Sequence, residues 1–473
     1  TMKQFLTLMD GMVEYRQMKE ALQQGRVPVS VSGASASHKT HIIASLTAQL
    51  DKPALVIVPD ESTAIRFTAD LSVLLGERVL HFPARDYVLL DVDGASGEFE
   101  HQRLGVLSEL LQGTARVVVA SAESACERTI PKETLKDSIL TIDMDGSYDQ
   151  EQVVKKLVAM GYQCRDQVEG ICQFARRGGI LDIFPPDRTE PVRIEFWDDE
   201  IDTIRSFDVE SQRSIERIAE FTIFPASELI LTTEQIADGF TKMAKDAAKI
   251  STKLKKAKKF EEVNRLNDHL QEIQNDYEQY QSRIGLEAYL PYFPVETLSF
   301  FDIMPEGETI FFLDEPSRCY EKAQAVETEF RDSMESRLEK GYLLPKQPEI
   351  LQGMDPLFGL LQNKQLVILS LLDGLPKQLA SRAQVNVQVQ PVGSYNKHFE
   401  LLVDDMLRWR ENGYRVLLLC GSRTRAQRLS KDLGEYEIPA FYHEKPDMPL
   451  EAGQVMVSYG FMRHGFVYSM TKF

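Results

Sequence analysis

Cysteine, tryptophan and histidine are scarce in this sequence, and so is net positive charge. Among 473 residues there are 5 cysteines, 2 tryptophans and 8 histidines, and the formal net charge is −18. The cysteines (Cys126, Cys164, Cys172, Cys319 and Cys420) lack paired metal-ligand spacing and read as reduced thiols of a cytosolic protein. Of the histidines only His38 and His41 are close together, with no acidic or cysteine companion at ligand spacing, so no metal site is expected. No catalytic acid–base pair or nucleophile constellation is readable. The acidic balance argues against a general duplex-binding surface, because phosphate neutralisation needs a basic face, although local basic patches are compatible with it. No run of about 18 uncharged apolar residues occurs and the N-terminus has no signal-peptide pattern, so a cytoplasmic chain without a membrane partner is expected.

What is present is enough chain for roughly three or four domains. Up to about residue 125, strand and helix signals alternate: Val29–Ser32, Ala54–Val58, Val79–Phe82 and Val117–Ala120 read as strands between helical runs. Alternation of this kind predicts a parallel sheet with helices on both faces. The first strand–helix turn holds Gly33 to Thr40, GASASHKT. It approximates a phosphate-binding loop, G-x-x-x-x-G-K-[ST], but His38 stands in place of the second glycine. A side chain there is expected to crowd the turn, at a costly positive φ. Far downstream, Ile310–Leu313 followed by Asp314-Glu315 has the form of a strand ending in Mg²⁺-binding acids. Gly33, Lys39, Thr40, Asp314 and Glu315 therefore read as a vestigial nucleotide site, with residual ATP and Mg²⁺ binding as the alternative.

Between them, Phe174 to Phe207 reads as a small antiparallel sheet: Ile180–Phe184, Val192–Trp197 and Ile201–Phe207 are β-prone runs. Val192, Ile194 and Phe196 alternate with Arg193, Glu195 and Trp197, giving one apolar and one charged or aromatic face. Arg165, Arg176, Arg177 and Arg193, with Phe174 and Trp197, have the composition of a protein-binding hot spot. The same composition fits a solvated strand face with internal Arg–Glu pairs. Between Thr232 and Leu286 lies a long polar helical region, lysine-rich from Lys242 to Lys259, which reads as a solvated helix face or a nucleic-acid contact. Pro345-Lys346-Gln347-Pro348 reads as a linker before a further α/β unit containing Gln365–Leu371, Val385–Val389, the helix Phe399–Asn412 and the strand Arg415–Cys420.

RRGGILDIFPP at Arg176–Pro186, PVRIEFWDDEID at Pro191–Asp202 and FDVESQRS at Phe207–Ser214 closely resemble the UvrB-homology module at the N-terminus of transcription-repair coupling factors. The resemblance extends to VIVPDE at Val56–Glu61, to Arg116–Pro131 and to Leu290–Arg318. It implies a degenerate P-loop core, RecA-like and without catalytic function, with an inserted β-rich domain that docks onto the repair ATPase UvrA. On this basis residues 1–126 and 214–345 are expected to form the core, 127–213 the inserted domain and 355–473 a third α/β domain. The chain is then an N-terminal fragment of a protein whose further domains bind RNA polymerase and drive translocation on duplex DNA with ATP. Arg165, Phe174, Arg176, Arg177 and Arg193 become the expected UvrA-facing residues, with Arg177 the closest match to an arginine of the UvrB docking strand and Phe174 an aromatic anchor. Ala175 replaces one arginine of that strand. Over Tyr87–Leu104 the resemblance implies a direct passage from strand to helix, without the hairpin with which UvrB grips damaged DNA. The alternatives are a UvrB-like ATPase built on Lys39, Asp314 and Glu315, and a DNA-binding scaffold built on the lysine-rich helix.

Overall fold

A computed structural model describes all residues except 1–2, 77–78, 86–97, 284, 295–297, 352, 394 and 396–397. In chain order the first strands are Val29–Ser32 (β1), Ala54–Val58 (β2), Val79–Phe82 (β3) and Val117–Ser121 (β4), with the helix Ala36–Leu50 (α1) after β1. There follow Gln163–Cys164 (β5), Gln173–Arg177 (β6), Ile180–Phe184 (β7), Val192–Trp197 (β8), Glu200–Phe207 (β9) and Ser214–Arg217 (β10). Two long helices, Thr233–Lys256 (α2) and Phe260–Tyr280 (α3), lead to Ile310–Asp314 (β11) and Pro316–Glu339 (α4). The chain continues through Gln365–Leu369 (β12) and Ala383–Asn386 (β13) to Val416–Cys420 (β14), Ala440–Tyr442 (β15) and Val455–Tyr459 (β16).

The principal sheet has seven parallel strands in the order β13-β1-β12-β11-β2-β4-β3. Its central strands are apolar throughout because both faces are covered: Ala54, Val56 and Val58 enter one core, Leu55 and Ile57 the other. The second sheet, β10-β9-β8-β7-β6-β5, is antiparallel except for its β5–β6 edge. Its inner face (Phe174, Leu181, Ile183, Val192, Ile194, Ile204) packs on the helix Gln150–Ala159 and on the pair Leu140–Asp143 with Glu220–Ile223. The second sheet thus lies in sequence between β4 and β11, which the first sheet reunites through β2. That matches the multidomain α/β architecture expected, with an inserted β-rich unit.

Three readings need correction. The run placed in a third domain from residue 355 begins with β12 and β13, which pair with β1 in the first sheet; only β14, β16 and β15 form a separate parallel sheet. Gln365–Leu369 is buried almost end to end, as a central parallel strand must be. Residues 345–348 are no linker: Gln347–Ile350 is a 3₁₀ turn, and Leu344 and Ile350 belong to a buried cluster with Tyr292 and Phe330. The inserted unit does not close at residue 213 either, since Glu220–Ile223 pairs with Leu140–Asp143. The passage expected over Tyr87–Leu104 falls largely on residues 86–97, outside the described residues; the helix Glu98–Gln112 follows them.

Candidate functional sites: a filled phosphate loop and an arginine-bearing sheet

The loop after β1 brings together the residues that the sequence separates by nearly the whole core. Gly33 takes the left-handed conformation at φ 81°, and a Cβ there would run into the backbone carbonyl of Val387. Gly33→Ala is therefore expected to cost more than about 1 kcal/mol in urea unfolding. His38 does not occupy a strained turn. It lies in the first turn of α1, fully buried, its ring 5.2 Å from that of Tyr468. Burial pushes its pKa down to about 3, so it is neutral. Its neighbours on the helix are similarly covered: His41 Nδ1 is 2.7 Å from the Tyr468 hydroxyl, and Ser37 Oγ donates to the carbonyl of His464 at 3.0 Å.

Lys39, Asp314 and Glu315 do meet, as expected from the order of the motifs. The Lys39 ammonium lies 2.5 Å from Asp314 Oδ1 and 2.5 Å from Glu315 Oε1, with the lysine side chain 6% exposed. Glu315 is fixed further by the Leu371 amide, 2.8 Å from the same Oε1. Thr40, which in a working loop would turn its hydroxyl to a metal, donates instead to the Ser37 carbonyl at 3.0 Å. The amides of Gly33 and Ala34, the natural phosphate cradle, donate to the carbonyls of Leu371 and Ser370. Each group that would hold a nucleotide is thus spent on an internal partner. These residues do not fit ATP or Mg²⁺, and no chemical step is assigned to them. Among the described residues, no cluster of His, Cys, Asp or Glu is placed to hold a metal ion.

The arginine sheet is more divided than the sequence suggested. Successive strand residues point to opposite faces, so Arg176 and Arg177 part company. Arg176 lies on the inner side and donates to Gln150 Oε1 at 2.9 Å; Arg177 lies on the outer side, 47% exposed, 3.0 Å from Asp182 Oδ2. Arg193 shares that carboxylate, with Nε 2.7 Å from Oδ1 and Nη2 2.8 Å from Oδ2, and lies over the Phe207 ring at 4.3 Å. Arg165 bonds Gln163 and lies 4.9 Å over the Tyr280 ring of α3, away from both. Phe174 is 1% exposed and belongs to the inner core, so it is not a surface anchor. Its neighbours across the ladder, Ile183 and Leu181, decide which side of β6 faces inward.

Two further residues organise the outer face, of which the sequence singles out only Trp197. Asp182, fully buried in an otherwise apolar strand, is the acceptor that orients Arg177 and Arg193. An acid inside ILDIF is the signal, because a buried carboxylate needs a partner. Trp197, 78% exposed at the β8–β9 turn, is the aromatic that stands in solvent. Across the strands Asp182, Arg193, Arg205 and Arg217 are register partners, and Arg205 is ion-paired with Glu195. The outer face is a ladder of arginines partly neutralised by acids, rather than bare positive charge.

Residues 140–229 match the family described as the UvrB interaction domain, which covers the second sheet and the strand pair beneath it. Over 469 residues, 97% of this chain, the sequence is 30% identical to a transcription-repair-coupling factor of Bacillus subtilis. This chain is a relative of the transcription-repair coupling factors. A Myxococcus xanthus coupling factor is 27% identical over 462 residues, and one from Staphylococcus epidermidis 26% identical over 446 residues. The chain spans 38% of the length of the Bacillus coupling factor and 36% of that of the Myxococcus one. Among the described residues, no helix is long and apolar enough to cross a membrane.

Proposed function

We propose that this chain is the part of a cytoplasmic transcription-repair coupling factor that recruits UvrA to RNA polymerase stalled at a lesion. The supporting observation is the Arg177 guanidinium, half exposed yet held beside Asp182 on the outer face of a rigid sheet. An arginine so positioned has donors left for a partner's carboxylate, in charge-assisted and often bidentate bonds, without first losing rotamer freedom. Trp197 is the aromatic contact on the same face in this reading, in place of Phe174. Arg193 acts through Asp182 as a positioning residue, and Arg165 and Arg176 lie outside the contact. The chain itself needs no cofactor. ATP-driven translocation on duplex DNA and displacement of the polymerase belong to the additional length of the relatives.

Calorimetric titration against UvrA is the test. Arg177→Ala is expected to weaken binding about thirtyfold, the effect of roughly 2 kcal/mol, with an unchanged melting midpoint. Wild-type affinity in that variant would move the docking face elsewhere on the sheet, and absence of binding by the parent chain would remove the recruitment role.

A further inference from the structure

The helices α2 and α3 form an antiparallel hairpin whose far end carries charge opposite to that of the chain. Ile236, Met243, Ala247 and Leu254 of α2 face inward. Alongside that buried stripe, Lys242, Lys245, Lys249, Lys253 and Lys256 recur at i, i+3, i+7, i+11 and i+14, so they line one side of the helix. The row is about 21 Å long at about 1.5 Å per residue. Lys255 and Lys258 at the turn broaden it, and all seven of these lysines are exposed.

The acids near the row engage only some of its lysines. Asp238 takes Lys242 at 2.7 Å and Asp246 takes Lys249 at 3.0 Å. Glu261 and Glu262 open α3, and Glu339 ends α4, where its backbone carbonyl receives Lys259 at 3.3 Å. Among the described residues, no carboxylate lies within ion-pair distance of Lys245, Lys253, Lys255, Lys256 or Lys258. Lysines in a last turn complement the helix dipole, but that interaction fades within one turn. It accounts for Lys253 to Lys256 and not for a row that starts several turns earlier.

We propose that this hairpin binds the phosphate backbone of duplex DNA without regard to sequence. The row is as long as the stretch over which one strand presents about six phosphates at about 3.4 Å each. Lysine offers point charges and no fork that reads base edges, and the row holds no arginine, asparagine or glutamine directed outward at its centre. Single-strand binders interleave stacking aromatics with their basic groups. Here Phe260, 59% exposed, is the one large apolar side chain exposed at the described tip. Backbone contact to a duplex is what remains.

The test is fluorescence anisotropy of a labelled random-sequence duplex titrated with this chain over a series of salt concentrations. Five unpaired lysines give a log–log salt slope of roughly −4.5. Lys253→Gln, Lys255→Gln and Lys256→Gln together are expected to reduce its magnitude by about 2 to 3, and the matching triple arginine variant to restore it. The melting midpoint should be unchanged in both, since these side chains are exposed. Absence of salt-dependent binding overturns the proposal, as does a slope that the triple glutamine variant leaves intact. Equal competition by polyglutamate overturns it too, because the surface would then suit an acidic protein. Tighter binding of a single strand than of the duplex would likewise refute it.

Discussion

Glu228→Ala is expected to lower the melting midpoint by roughly 5–15 °C. Glu228 follows the inserted sheet in sequence, and its carboxylate receives Arg103 Nε at 3.0 Å, Arg103 Nη2 at 3.2 Å and Arg85 Nε at 3.1 Å. Arg103 is fully buried, and its guanidinium also lies 4.0 Å over the Phe82 ring. Removing the acid takes away the carboxylate that both buried guanidinium groups share, a loss of about 3–5 kcal/mol. Glu228→Gln, which keeps the shape and one acceptor, should cost less. A shift below about 2 °C in the alanine variant would show that the cluster does not hold the two units together.

The same cluster makes stability depend on pH in two directions. Burial works against the Glu228 anion, but the two arginines outweigh it and hold its pKa at about 2, against an ordinary 4.5. Its contribution is present above pH 4.5 and is lost as pH falls through about 2. Glu127 has less compensation. It accepts the Arg85 amide and is ion-paired with Arg103 at 2.7 Å, and burial lifts its pKa to about 7. A raised carboxyl has the opposite sign: its stabilisation is complete below pH 4.5 and disappears as pH rises through about 7. Glu127→Gln should therefore flatten the decline in melting midpoint on the neutral side while leaving the acid limb unchanged.

Lys39→Met is the second large effect, and it is a loss of stability rather than of nucleotide affinity. In a working phosphate loop the lysine faces the ligand, and its removal chiefly abolishes binding. Here it lies between Asp314 and Glu315, and burial already raises the Asp314 pKa despite the lysine. Without the ammonium two acids lose the cation between them, one of them almost fully enclosed, at a cost of about 3–5 kcal/mol in denaturant unfolding. Combining Lys39→Met with Asp314→Asn should recover part of that loss, since the pair is then removed rather than broken. A change below about 0.5 kcal/mol in the single variant would mean that the lysine is free to face a ligand.

The meeting of Lys39 with Asp314 and Glu315 was legible because a strand–turn–helix and an acid-tipped strand belong to one parallel sheet by simple α/β logic. The alternation in Val192–Trp197 likewise announced a two-faced antiparallel sheet. What local reading missed was set by distant partners. Phe174 stands among arginines in sequence, yet Ile183 and Leu181 across the ladder turn its side of β6 inward. The prolines at 345 and 348 suggested a boundary, but one precedes and the other lies within a turn buried against Tyr292 and Phe330, and the strands beyond return to β1. The occupied phosphate loop was equally invisible, because its occupants, Leu371, His464 and Tyr468, come from the far end of the chain.

That long return has a consequence for synthesis on the ribosome. Val29 finds its neighbour Val367 only after roughly 340 further residues have emerged, about twenty seconds to a minute of translation at about 5–20 residues per second. For that interval β1, whose Val29 and Val31 both enter the core, has neither of its lateral partners. The inserted sheet needs no such wait, since each of its strands pairs with a near neighbour in sequence. The nascent chain thus completes its inserted sheet before its core closes, and the unfinished core strand is the segment that a ribosome-bound chaperone would have to shield.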